Sequence, residues 1–122
     1  MIFEIDFDSD EAFYMQLRNQ VIVGIATRQV KEGDSLPSVR QLAGDIGINM
    51  HTVNKAYSIL KEEGFLTLNR KMGAVIALAQ NKSQTVEEIQ NILQVILAQA
   101  SCKDVSREEI HRIVDDIYDS YF

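Results

Sequence analysis

Two short amphipathic helices separated by a three-residue connection constrain this chain more than any other feature. Val39, Leu42, Ala43 and Ile46 share one face of a helix that Ser38 opens as N-cap, with Gln41 three positions on to complete a capping box. Gly47 stops that helix where a left-handed residue is favoured, and Asn49 can cap the next by accepting from its free backbone N–H groups. The following helix runs from residue 50 to about residue 63, with Val53, Ala56, Tyr57 and Leu60 inward and Gly64 as its stop. Helices joined by so tight a turn must cross steeply. That is the helix-turn-helix arrangement, which presents its second helix to the major groove of DNA.

The flanking segments extend the pattern. Residues 2–7 alternate as a short strand, and Asp8 with Glu11 suits a capping box at the start of a first helix. Phe13, Leu17, Val21 and Ile25 recur every four positions on that helix, which reaches about residue 28. Gly33 and Pro37 punctuate a turn before the next helix. After Gly64 the period drops to two, with Phe65-Leu66-Thr67-Leu68 and Ala74-Val75-Ile76-Ala77 flanking the basic tip Asn69-Arg70-Lys71-Met72-Gly73. The expected fold is mainly α with a small β hairpin: a winged helix-turn-helix over residues 1–79. A C-terminal two-helix hairpin follows over residues 80–122.

In that tail, residues 80–84 read as a polar linker, and Thr85 with Glu88 opens a fourth helix carrying Val86, Ile89, Leu93, Ile96 and Ala100 on one stripe, widened by Ile92 and Leu97. Ser106 and Glu109 cap a fifth, with Ile110, Ile113, Val114, Ile117 and Tyr121 apolar. Such a pair is too small to enclose a core. The economical cover is the same hairpin of a second subunit, giving an isologous homodimer through the C-terminal helices; folding back onto the winged helix is the other reading.

The net charge of −6 argues against nucleic acid when taken alone, but its distribution does not. Residues 35–75 carry five cations against three anions, whereas residues 81–122 carry four against eight. No run approaches the roughly 20 apolar residues of a membrane span, and the N-terminus lacks a basic leader, so a cytoplasmic protein is expected. The lone Cys102 reads as an inert, semi-buried residue near a helix end, and His51 and His111 offer no metal-ligand spacing. No cofactor or metal is expected. Without a paired nucleophile and base, or a phosphate-cradling glycine loop, neither is an enzyme.

The run Leu36-Pro37-Ser38-Val39-Arg40-Gln41-Leu42-Ala43, continued by Gly47-Ile48-Asn49-Met50-His51-Thr52-Val53-Asn54-Lys55-Ala56-Tyr57 and by Leu60, Glu63 and Gly64, resembles the GntR family of bacterial regulators. Phe13-Tyr14-Met15-Gln16-Leu17 is similar to the family's first-helix segment, and the short tail is similar to its YtrA-like branch. The resemblance implies a dimeric transcription regulator, a repressor or an activator, on a palindromic operator in double-stranded DNA; repression is the expected mode. Where many relatives carry arginine, this chain has Met50 and Asn54, and its wing tip keeps two cations and one glycine. That tip suits phosphate contact better than minor-groove insertion.

The expected DNA-binding residues are Ser38, Arg40, Asn49, His51, Thr52, Asn54, Lys55, Arg70, Lys71 and Gly73. Asn54 can pair bidentately with adenine, Thr52 can touch a phosphate or a thymine methyl, and Lys55 supplies a cation. Arg40 can fork onto a phosphate or a guanine edge, or instead pair locally with Asp45. Ser38 and Asn49 are caps first, Asn49 opening a helix N-terminus that favours phosphate. His51 is either a contact or an ordinary exposed histidine. Arg70 and Lys71 fit phosphate contacts or a solvated turn, and Gly73 permits the turn. The competing function is a winged helix used as a protein-interaction module. The tail looks too small to enclose a metabolite, leaving any small-molecule effector unknown.

Overall fold

The computed structural model describes every residue from Met1 to Phe122. Internal contacts divide it into two units, Met1–Ala79 and Gln80–Phe122. The first contains α1 (Phe13–Ala26), α2 (Val39–Ile46), α3 (Met50–Glu62) and an antiparallel hairpin of β1 (Leu66–Asn69) and β2 (Gly73–Ile76). Helix α3 is the hub, packing on α1, α2 and β1. Its Val53, Ala56 and Leu60 are completely buried among Leu17 and Val21 of α1, Leu42 and Ala43 of α2, and Leu66 and Ile76 of the hairpin. At roughly 1.5–3 kcal/mol for each large aliphatic side chain, this cluster is what fixes the helices on one another.

The helix-turn-helix is held by consecutive caps. Ser38 Oγ accepts from the Gln41 backbone N–H at 3.1 Å. Gly47 adopts φ +74°, its N–H returning to the Ala43 carbonyl. Asn49 Oδ1 then accepts from the His51 N–H at 2.7 Å. In the hairpin, pairing from Leu66↔Ile76 to Asn69↔Gly73 leaves Arg70, Lys71 and Met72 as the loop. Gly73, at φ +75°, is the left-handed residue that closes a three-residue hairpin loop. Asn69 Oδ1 braces the tip by accepting from the Lys71 N–H at 2.8 Å and the Met72 N–H at 3.2 Å.

Three expectations for this unit need correction. The segment before α2 is more than a turn: Gly33 N–H donates to Ile76, Leu36 N–H to Ala74, and Ile76 N–H to Asp34, so it lies along β2 as a third edge. The pairing is too short to leave a period in the sequence. Residues 2–7 form no strand. They make an extended arm whose backbone is satisfied by glutamine side chains, Glu4 by Gln20 and Asp6 by Gln16. The alternation holds only in part: Phe3 is buried and Ile5 half-buried, but Phe7 is exposed, and the glutamines that hold the arm belong to a helix rather than a strand. Finally, α1 begins at Phe13 instead of residues 8–11, and its N-cap residue Ala12 supplies no side-chain cap. It ends at Ala26, with Arg28 left-handed at φ +63°.

The second unit is α4 (Lys82–Cys102) and α5 (Arg107–Tyr121). Helix α4 opens earlier than Thr85, because Asn81 caps it and accepts from the Gln84 N–H at 3.3 Å. The capping box of Ser106 and Glu109 is present in both directions. Asp104 turns the chain between the helices at φ +60°. Neither helix has a single buried residue, and Ile92 is 62% exposed. Cys102 is exposed, not semi-buried, because it is the last residue of a helix that buries none of its side chains within this chain. No helix of the chain is long and apolar enough to cross a membrane.

Candidate nucleic-acid interface

Burial of Val53, Ala56, Tyr57 and Leu60 turns the opposite face of α3 outward, and at 100° per residue its first turns there carry His51, Asn54 and Lys55. All three are exposed, while Thr52 is half-buried at the margin of the inward face. Asn49 is exposed too, but its carboxamide oxygen is already committed to the His51 N–H. Neither His51 nor Asn54 has an intramolecular partner for its side chain, leaving the Asn54 amide its full donor and acceptor capacity. Lys55 is different. Its Nζ stands 3.9 Å from the centroid of the Tyr14 ring on α1.

A second cluster forms where the start of α2 meets the hairpin. Ser38, Asn69, Arg70 and Gly73 line an open cleft of about 320 Å³ together with Tyr57. Tyr57 is 2% exposed, and its hydroxyl donates to the Pro37 carbonyl at 2.7 Å, tying the segment that leads into α2 to the middle of α3. Burial pushes the phenol pKa far above its ordinary value. Gly73 brings no side chain to the cleft; its contribution is the turn. Arg40 lies on the exposed side of α2. It does not pair with Asp45: the one ion pair of the chain joins Arg18 to Glu63.

The structure thus gathers Ser38, Arg70 and Gly73 at one cleft and His51, Thr52, Asn54 and Lys55 on the opening turns of α3. Lys71 stands exposed at the hairpin tip and does not line the cleft. Sequence reasoning missed two residues of α1. Arg18 grips Glu63 through Nε and Nη2, each at 2.8 Å, and that hydrogen-bonded carboxylate raises the Arg18 pKa. Tyr14 supports Lys55. Tyr14 and Arg18 are four residues apart and so share a flank of α1 beside its apolar stripe, but which helix that flank meets is set only by docking.

The family described as "Bacterial regulatory proteins, gntR family" matches residues 13–76, from the first residue of α1 to the last of β2. The chain is 33% identical over 119 residues to the HTH-type transcriptional repressor YtrA of Bacillus subtilis (strain 168), covering 93% of this chain and 90% of that protein. Among solved structures, YtrA from Sulfolobus acidocaldarius, a GntR-family transcription factor, is 36% identical with TM-score 0.67, covering 84% of this chain and 99% of that one. A transcriptional antiterminator from Listeria monocytogenes EGD-e is 26% identical with TM-score 0.88, covering 97% of this chain and 90% of that one. These relatives are named as regulators of transcription, not as enzymes. This chain therefore belongs to the GntR family of bacterial transcription regulators and carries the winged-helix DNA-binding domain of that family.

Proposed function

We propose that the protein is a repressor that acts in the cytoplasm as a homodimer on a palindromic operator in double-stranded DNA. Met1–Ala79 reads the DNA, and Gln80–Phe122 joins the two copies. The observation that carries the reading is the outward face of α3. There Asn54 and His51 stand exposed and without internal partners, which is what a base-reading helix requires in the major groove. Arg40, Arg70 and Lys71 are likewise exposed cations outside any ion pair and serve as backbone anchors. Ser38 and Thr52 add hydroxyl contacts to phosphate, and Asn49 and Gly73 hold the backbone geometry of the surface. Repression is supported by the name of the B. subtilis relative.

Homodimerisation is supported by the apolar faces of α4 and α5, where Ile89, Leu93, Ile113 and Ile117 remain between 43% and 49% exposed. Two copies of such a pair bury each other isologously, and a two-fold protein reads a two-fold site.

The test is selection of bound duplexes from a random library, followed by a salt titration on the selected sequence. A palindromic consensus, steep weakening with salt, and loss of binding on Arg40→Ala plus Lys55→Ala are the expected results. Failure to select any duplex, with tight salt-insensitive capture of a protein partner through the α3 face, would overturn it in favour of a protein-interaction module. Lowered reporter expression from a promoter bearing the selected site checks repression, and raised expression refutes it.

A further inference from the structure

We propose that Tyr14 is a positioning residue for DNA binding, holding the Lys55 ammonium at the flank of α3 so that it meets a backbone phosphate and leaves base reading to Asn54. The inference rests on the DNA-binding reading above and adds to it a residue outside the recognition helix. Tyr14 is the second residue of α1, with a half-buried ring packed against the core cluster, so its ring is a fixed surface. Lys55 is exposed and flexible by nature, yet its Nζ is poised 3.9 Å from that ring centroid. An ammonium so placed is attracted by the quadrupole of the ring.

The neutrality of the partner is what makes this a binding device. The other cross-contact from this part of α1 joins Arg18 to Glu63, where the carboxylate consumes the guanidinium charge. Tyr14 fixes Lys55 without neutralising it. The ammonium keeps its charge and N–H donors for a phosphate, while part of the large rotamer entropy of lysine is removed before binding. The lean toward α1 also carries the cation away from the centre of the outward face. A compact point charge held there favours any phosphate equally, whatever the base sequence.

The experiment measures affinity for the selected operator and for an unrelated duplex, in the full-length chain, for Tyr14→Phe, Tyr14→Leu, Lys55→Met and the Tyr14→Leu/Lys55→Met double variant. Tyr14→Leu should weaken both duplexes about 2- to 5-fold per copy, the range expected for an exposed cation–π contact, with the salt slope unchanged because no charge is lost. Tyr14→Phe, which keeps the ring face, should bind as the parent does. Lys55→Met should lower the salt slope by about 0.9 per copy and abolish any further effect of Tyr14→Leu. An undiminished Tyr14→Leu loss in the Lys55→Met background overturns the proposal, as does an equal loss for Tyr14→Phe or no loss for Tyr14→Leu. A Tyr14→Leu chain too unstable to assay is replaced by an NMR reading of the parent and Tyr14→Phe. Ring-current-shifted Lys55 side-chain resonances support the proposal, and unshifted ones refute it. If the parent itself bound no duplex, the DNA-binding reading would fail instead.

Discussion

Replacing Tyr57 with phenylalanine isolates a single hydrogen bond that links the core to the segment leading into α2. The substitution keeps the ring, which is 2% exposed, and deletes only the hydroxyl that donates to the Pro37 carbonyl at 2.7 Å. Losing one such bond, with its acceptor left in a half-buried place, costs about 1–2 kcal/mol. The winged unit spans Met1–Ala79, and in a domain of that size each kcal/mol corresponds to roughly 4–8 °C in Tm. Tyr57→Phe should therefore melt measurably earlier at pH 7. The pH dependence gives a sharper check. The folded-state pKa is raised above the unfolded value of about 10, so the stabilisation of the neutral phenol is fully present below pH 10 and is lost as pH rises through the folded value. In that window the parent loses about 1.4 kcal/mol per pH unit that the phenylalanine variant does not. Urea denaturation of both chains from pH 7 to 11 should show a gap that is constant up to about pH 10 and then closes. A gap that stays constant to pH 11, or no gap at pH 7, refutes the reasoning.

Other contacts give independent checks. A double-mutant cycle of Arg18→Ala and Glu63→Gln should return a coupling of about 0.5–1 kcal/mol, at the upper end for an exposed pair because the grip is bidentate. Asp104→Gly should stabilise the tail by about 0.5–1 kcal/mol in thermal denaturation, since φ +60° strains an L-residue and an acid at the C-terminal end of α4 opposes its dipole. Gln16→Ala should release the N-terminal arm, because its amide accepts from the Asp6 N–H and donates to the Asp6 and Glu11 carbonyls; hydrogen exchange at the Asp6 amide should then accelerate while the Leu60 amide stays protected.

What could be read from the sequence was what is decided within one turn of chain. Ser38, Gly47 and Asn49 each act on backbone groups two to four residues away, and the helix-turn-helix follows from them directly. The tail shows where local rules compete. Thr85 with Glu88 and Ser106 with Glu109 spell the same capping signal, yet only the second starts a helix, because Asn81 caps first and Lys82, Ser83 and Gln84 contain nothing to stop the helix forming around them. The onset of α1 was illegible for the opposite reason. Asp8 and Glu11 look like a cap, but the chain there is held by Gln16 and Gln20, reaching back from within the helix. Among the site residues, the exposure of Asn54 followed from periodicity, whereas the Tyr14 ring beneath Lys55 depends on how α1 docks against α3, and spacing carries no record of that.

The acidic total charge bears on why two copies would be needed. One winged unit offers Arg40, Lys55, Arg70 and Lys71 as its exposed candidate phosphate contacts. At about 0.9 per neutralised phosphate, four contacts give a salt slope near −3.6, and eight in a dimer give about −7. Four contacts lie at the weak end of DNA affinity, so a single copy would reside only briefly on any site. Tethering two copies makes the second engagement intramolecular and multiplies the residence without adding a cation to either surface. Placing charge at the exposed apolar positions of α5, as in Ile113→Glu with Ile117→Glu, should therefore halve the slope along with the sedimentation mass, while melting of the winged unit is unchanged. A variant that sediments as a monomer and still binds the palindrome with the parent slope would show that the tail is not what joins the two readers.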